Sequence, residues 1–365
     1  MSPLKKLLKE AREGTLTENS LKKLAKAAMK KDKHLSLPSF FSATEAGGDT
    51  PLSSATRYGH LKVAEILVKK GADVNKGSKS GDTPLFVSSM NGHRELVKLL
   101  LDKNAKVDQG TIDGGNPLIV SSQNGHTEVV KLLLAKGARM DAAYDDGATP
   151  LIMSGQNGHT EVVKLLLAAG ANVGQACNDG RPPLFMSGKN GHQQAVKLLL
   201  SYGAKVDQAS NNGDTSLLIS SQHGHPEVVK LLLAAGAEVN QACYFGRTPL
   251  FASSESGHQE VVKLLLAKGA NLDQIMDCGS TALFVSSRKG HHEVVKLLLD
   301  ASAVLDQAAA DDGRSTPLVV GSKSGHQEEE EEEEEEVKLL KGADREEERE
   351  GDEKEEEKEE EKEGI

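Results

Sequence analysis

The 365-residue chain is 37% hydrophobic and 3% aromatic, has no tryptophan and carries a net charge of −11, a composition too poor in large apolar side chains for one globular core of this length. The charge is split between the ends: residues 1–34 hold 10 Lys/Arg against 4 Asp/Glu, residues 35–327 hold 27 against 28, and residues 328–365 hold 7 against 23. The near-neutral middle argues against specific nucleic-acid binding, which needs a basic face; Cys177, Cys243 and Cys278 are too scattered for a disulfide framework or a zinc site; and no apolar run approaches the roughly 20 residues of a membrane span.

In chain order, Ser2-Pro3 followed by Leu4, Leu7, Leu8, Ala11 and Gly14 predicts a short amphipathic helix with a cap, a proline in its first turn and a glycine stop. Thr15-Leu16-Thr17-Glu18 has capping-box spacing, and Leu21, Leu24, Ala25 and Ala28 continue as the apolar stripe of a second helix. Lys22, Lys23, Lys26, Lys30 and Lys31 mark its wet face. Residues 1–37 are read as a basic helical cap over the end of the array that follows. A nuclear targeting signal, or a basic helix for calmodulin or an anionic membrane, are the alternatives.

From residue 38 the chain repeats. Thr-Pro-Leu or its variants begin at 50, 83, 116, 149, 182, 215, 248 and 281, an interval of 33 residues each time. GHTEVVKLLLAKGA at 125–138 recurs almost unchanged at 158, 224 and 257. Thr at the cap and Pro in the first turn open a short helix, since the missing proline N–H costs nothing there. Gly125-His126 leads to a second helix, in which Glu128 favours the N-terminal end and Val129, Val130, Leu132, Leu133 and Leu134 supply the core. Gly137 stands where a left-handed C-terminal cap belongs, and an arm with a turn follows.

Two antiparallel helices and a projecting turn every 33 residues, opened by Thr-Pro-Leu, resemble the ankyrin repeat over about three quarters of the chain. The resemblance implies an all-α solenoid of helix-turn-helix repeats with projecting β-hairpin loops. Eight regular repeats are assigned to 38–306. A degenerate ninth, 307–344, is interrupted by Glu328 to Glu336, and an acidic tail, 345–365, is disordered or a charged helix. The chain departs from the family pattern after Thr-Pro-Leu. Phe86, Ile119, Phe185, Phe251 or Phe284 stand where histidine is usual, and serine pairs such as Ser88-Ser89 and Ser121-Ser122 replace alanines. Small local costs and an unchanged fold are expected.

Histidines 60, 93, 126, 159, 192, 225, 258, 291 and 326 share one repeat position. Repeats stacked about 10 Å apart cannot bring them to one metal, so they are read as turn residues. No phosphate loop, dinucleotide fingerprint, nucleophile elbow or CxxC pair appears, and His292-Glu293 lacks the second histidine of HExxH because Lys296 holds that place. No enzyme activity, cofactor, metal or small-molecule substrate is therefore expected.

Variation concentrates at the turn tips, Lys79-Ser80, Ile112-Asp113, Asp145-Asp146, Asn178-Asp179, Asn211-Asn212, Tyr244-Phe245 and Asp277-Cys278. The family resemblance implies that these tips and the ends of the first helices line a concave binding face. Tyr244, Phe245 and Arg247 have hot-spot composition, with packing of one ring on the neighbouring turn as the alternative. Arg181, Lys189, Arg247, Arg288 and Lys289 make the later repeats basic, so an acidic partner is expected there, with the acidic tail as its competitor. The resemblance also implies asparagine hydroxylation in Asp73-Val74-Asn75 and Glu238-Val239-Asn240, at Asn75 and Asn240. The reading is a monomeric, non-catalytic protein-binding scaffold in the cytoplasm, with the nucleus as a second location. The alternative function is binding of histones or other basic proteins through the polyglutamate tail.

Overall fold

The structure is a computed structural model that describes residues 2–32, 35–44 and 48–302. The ninth repeat beyond Ser302, the polyglutamate run and the acidic tail lie outside the described residues. The described residues divide into two compact units, one within 1–187 and 194–204 and the other within 188–193 and 205–302. Among the described residues every regular element is a helix.

The first unit opens with α1 (Pro3–Glu13), α2 (Glu18–Lys31) and α3 (Leu37–Phe41). Ser2 Oγ accepts the Lys5 N–H at 3.2 Å, and Gly14, at φ 72°, closes α1 by donating to the Glu10 carbonyl. The cap of α2 lies two residues later than the spacing of Thr15 and Glu18 indicated. Thr17 Oγ1 accepts from Ser20 N–H at 3.2 Å while Ser20 Oγ accepts from Thr17 N–H at 3.0 Å, a capping box built on serine. Leu16 is buried ahead of that cap, which keeps the chain extended until the apolar stripe of α2 begins. Leu7, Leu8 and Ala11 of α1 are buried, and α1 packs on the first helix of the first repeat.

Repeats follow. In the first unit the leading helices are Pro51–Arg57, Pro84–Met90, Pro117–Gln123 and Pro150–Gln156, and their partners are Leu61–Lys69, Arg94–Asp102, Thr127–Ala135 and Thr160–Ala168. The second unit repeats the pattern with Ser216–Gln222, Pro249–Glu255 and Ala282–Arg288, paired with Pro226–Ala234, Gln259–Leu266 and His292–Asp300. Within each unit leading helices pack on leading helices and partners on partners. The leading-helix caps follow the Thr-Pro-Leu logic: Thr83, Thr149, Thr248 and Thr281 accept from the N–H three residues on, at 3.1 to 3.3 Å, and Asn116 does so at 2.8 Å, whereas Pro182, ahead of Pro183–Lys189, has no side-chain acceptor to offer.

The partner helices have no side-chain cap, although histidine precedes each. The imidazoles are engaged elsewhere. His126 Nε2 meets the Met90 carbonyl at 3.0 Å, His159 that of Gln123 at 2.9 Å, His258 that of Gln222 at 3.0 Å and His291 that of Glu255 at 3.0 Å. Each of those carbonyls ends the leading helix of the preceding repeat and has no partner within its own helix. The histidines are therefore staples between repeats, a role that turn position alone did not reveal. At 59, 92, 125, 191, 224 and 257 the glycine before a histidine makes room for the next ring: a Cβ on Gly125 (φ 72°) would stand 2.5 Å from His159 Nδ1.

Burial pushes the His225 imidazole below its ordinary value of 6.5, the Lys189 carbonyl opposes that shift, and charge on His223, His258 and His192 adds to it. A folded-state value below the unfolded one gives stability that is fully present above the unfolded value and is lost as pH falls through the folded one. The denaturation midpoint of the second unit is thus expected to hold between pH ~7 and ~8 and to fall below pH ~6.5. His225→Gln, which keeps a donor for Lys189, should flatten that fall in urea titrations at each pH. An unchanged slope would remove His225 from the account.

The serine pairs divide their work. The first of each bonds back along its own helix, Ser88 Oγ to the Leu85 carbonyl at 3.1 Å and Ser253 Oγ to that of Leu250 at 3.0 Å. The second, Ser89, Ser122, Ser221, Ser254 and Ser287, is buried with no hydrogen-bond partner for its hydroxyl among the described residues.

Candidate protein-recognition surface

The arms between helix pairs are tight turns. Thr111 N–H donates to the Gly115 carbonyl at 2.7 Å, Cys243 N–H to that of Arg247 at 3.0 Å, and the glycines at 114 and 246 take φ 82° and 75° to complete the reversal. Successive tips are tied together by one backbone bond each. In the first unit Ile112 N–H reaches Ser80 O at 3.0 Å, Asp145 N–H reaches Asp113 O at 3.0 Å and Asn178 N–H reaches Asp146 O at 2.8 Å. In the second unit Tyr244 N–H reaches Asn212 O at 3.1 Å and Asp277 N–H reaches Phe245 O at 3.3 Å. Within each unit the most variable positions of the repeat therefore stand on a hydrogen-bonded backbone row, and their side chains project from it.

Lys79, Ile112, Asp113, Asp145, Asp146, Asn178, Asp179, Asn211, Asn212, Tyr244 and Phe245 are all exposed. Ile112, Tyr244 and Phe245 leave 80%, 73% and 65% of their surfaces in solvent, the reverse of the usual fate of large apolar side chains. Tyr244 leans by its ring edge toward Gly213 of the preceding turn. Tyr144, in the first unit, points the other way: half-buried, it packs beside Phe86, Val87 and Val120 and its hydroxyl meets Gln123 Oε1 at 3.2 Å. Burial pushes its phenol up, and Asp113 and Asp146 add to the shift. The hydroxyl of Thr111 holds the Asp113 carboxyl below its ordinary range, so this tip stays anionic.

The basic residues do not form one uniform patch. Arg181 pairs with Asp179 of its own turn at 3.4 Å. Arg247 turns away from Tyr244 and Phe245: its Nη2 reaches Glu255 Oε2 at 2.7 Å and its Nη1 reaches Gln222 Oε1 at 3.4 Å. The same two repeat positions in the first unit hold the opposite polarity, Asp49 and Arg57, at 3.3 Å. Arg288 and Lys289 are exposed at the end of Ala282–Arg288, with the Arg288 guanidinium 5.7 Å from the Phe284 ring centre. Lys189 is half-buried. A cleft of about 430 Å³ lies in the second unit between the Arg247–Glu255 pair and Arg288, with Met276, Cys278 and Ser280 along its turn side. It offers a partner one exposed cation, Arg288, beside one neutralised pair.

Asn75 and Asn240 lie at the roots of the arms. Asn75 Oδ1 accepts the Lys106 N–H at 2.8 Å and Asn240 Oδ1 accepts the Asn271 N–H at 2.8 Å. Asp108 and Asp207, at the same repeat position, hold the N–H groups of Arg139 and Glu238. These side chains thus fix one arm to the next. The sequence signal for this was the acceptor, Asp or Asn, that recurs at 33-residue spacing at 75, 108, 141, 207, 240 and 273, with Gly174 as the exception. The pairing of Arg247 was legible in Glu255, the lone carboxylate among the last residues of the leading helices, eight positions along.

Capped helix pairs in tandem, with variable side chains on the turns between them, define a helical repeat protein. Models of the family described as ankyrin repeats match residues 75–144, 118–210, 156–243 and 205–276, and the single ankyrin repeat matches 47–79 and 278–310. The chain belongs to the ankyrin repeat family, whose members are general protein–protein interaction modules. Among solved structures it is similar to the crystal structure of the human ASB11 ankyrin repeat domain, with a TM-score of 0.56 and 28% identity, covering 61% of this chain and 99% of that one. A comparison with curated proteins gives no match. No described helix is long and apolar enough to cross a membrane.

Proposed function

We propose that the chain is a non-catalytic scaffold that holds a protein partner on the turn tips and the ends of the leading helices. The observation that carries this reading is that each unit holds its own tied row of tips, with Ile112 in solvent on the first and Tyr244 and Phe245 in solvent on the second, in a chain that is 3% aromatic. A surface fixed by backbone bonds before the partner arrives spares the ordering entropy that a flexible loop would lose on binding. Tyr244 and Phe245 are the apolar anchor, and Arg288 and Lys289 supply the charge that favours an acidic partner.

The polyglutamate run, with the 23 acids and 7 bases of residues 328–365, supports a second reading in which basic proteins such as histones bind the tail. Affinity capture with the full chain, a chain ending at 327 and a Tyr244→Ala/Phe245→Ala chain separates the two. The first reading expects the partner to survive tail deletion and to be lost with the rings. Partners that vanish with the tail and persist without the rings would replace it by the second. Asn75 and Asn240 are proposed hydroxylation sites, and an intact mass without the increment of one oxygen atom, after isolation from a cell that holds the hydroxylase, would contradict that assignment.

A further inference from the structure

We propose that the N-terminal helices form a second docking site, which takes an acidic amphipathic helix of a partner protein. Leu21, Ala25 and Met29 stand four residues apart on one face of α2, and Leu37 and Phe41 of α3 stand across from them. Together they enclose an apolar groove of about 520 Å³. Its floor is closed, with Leu21 1% and Phe41 2% exposed, while the walls, Met29 and Leu37, leave 39% and 42% of their surfaces in water. Lys22, Lys26 and Lys70 border it.

The charge around the groove is unbalanced. Lys6, Lys9 and Lys69, nearby, are paired with Glu10, Glu13 and Glu18 at 3.9, 3.7 and 3.6 Å. Lys22, Lys26 and Lys70 meet no carboxylate among the described residues. A cap that only shielded the end of a repeat stack needs neither open apolar walls nor a rim of unpaired cations. Lys22 and Lys26, one helical turn apart, match glutamates one turn apart on a facing helix, whose leucines at the same spacing enter between Met29 and Leu37. An anionic bilayer is the poorer match, because a membrane-binding helix projects its apolar face, whereas this one is recessed between rims.

The site is independent of the turn tips. The test uses the full chain and a fluorescein-labelled synthetic helix with leucine at the a and d positions of three heptads, glutamate at the flanking positions and alanine elsewhere, with fluorescence anisotropy read at low salt. Binding is expected to weaken at least tenfold in Lys22→Glu/Lys26→Glu, at least tenfold in Met29→Gln/Leu37→Gln, and at least tenfold for a scrambled peptide of the same composition. The Tyr244→Ala/Phe245→Ala chain should bind it as wild type does, with unchanged circular dichroism throughout. Equal binding of the scrambled peptide, or wild-type binding by either groove variant, would overturn the proposal. So would a chain that ignores the peptide but associates with phosphatidylserine vesicles, or one whose groove variants turn a dimer into a monomer.

Discussion

A chain carrying Ser89→Ala, Ser122→Ala, Ser221→Ala, Ser254→Ala and Ser287→Ala is expected to be more stable than the wild type, by about 1 kcal/mol for each serine replaced. All five hydroxyls are buried, at 0 to 1% exposure, and none has a hydrogen-bond partner among the described residues. A buried donor left unmade costs about 1–3 kcal/mol, and alanine is also the better helix former by a few tenths; the small void left by the lost oxygen offsets part of that gain. The replaced serines stand one per repeat, so their effects should add closely. Ser88→Ala is the control: it removes a satisfied hydroxyl bonded to Leu85 at 3.1 Å and should be near neutral. Urea unfolding reads both. A quintuple variant no more stable than wild type would mean that the hydroxyls are satisfied, by trapped water or a local shift.

Gly125→Ala is expected to destabilise by about 2–3 kcal/mol, roughly 1–2 from forcing a side chain into left-handed backbone and about 1 from the lost hydrogen bond. The added Cβ would meet His159 Nδ1 at 2.5 Å, so the ring must leave, and with it goes the 2.9 Å bond to the Gln123 carbonyl. Gly137→Ala isolates the backbone part, since Gly137 has φ 79° but nothing within 4 Å of an added Cβ; about 1–2 kcal/mol is expected there. The difference between the two midpoints measures the staple. Equal losses would show that the histidine ring contributes nothing to the joint between repeats.

The fold was legible because its determinants are local. Thr83 caps the helix that Pro84 opens by accepting an N–H three residues on, and Gly137 ends Thr127–Ala135, so a 33-residue spacing of such signals was enough to place the helices. The cap of α2 was misplaced for an equally local reason: Glu18 looked like the return half of a capping box, and Ser20, a shorter side chain, fills that place. The remaining features depend on partners that sequence distance hides. His126 reaches a carbonyl 36 residues back and Asn75 an amide 31 residues on; neither range leaves a signal in a short window. Repetition could have exposed both, because a polar residue kept at one position of every repeat has the same neighbour one repeat away. At the tips, variation identified Tyr244 and Phe245 as surface residues but did not show that Arg247, two positions on, turns inward to Glu255.

That separation sharpens the proposed function, for the proposed anchor is two exposed rings on a tied backbone and not a cluster with a cation. Tyr244→Ala and Phe245→Ala together remove large exposed apolar surface and touch no backbone bond of the row. The most direct measurement is calorimetric titration of a captured partner into wild-type chain and into this double variant, with thermal unfolding of both. The account predicts a dissociation constant raised about thirtyfold to a hundredfold, the effect of losing a hot-spot pair worth about 2–3 kcal/mol, and an unchanged melting temperature. Unchanged affinity, or weaker affinity accompanied by a matching loss of stability, would contradict it.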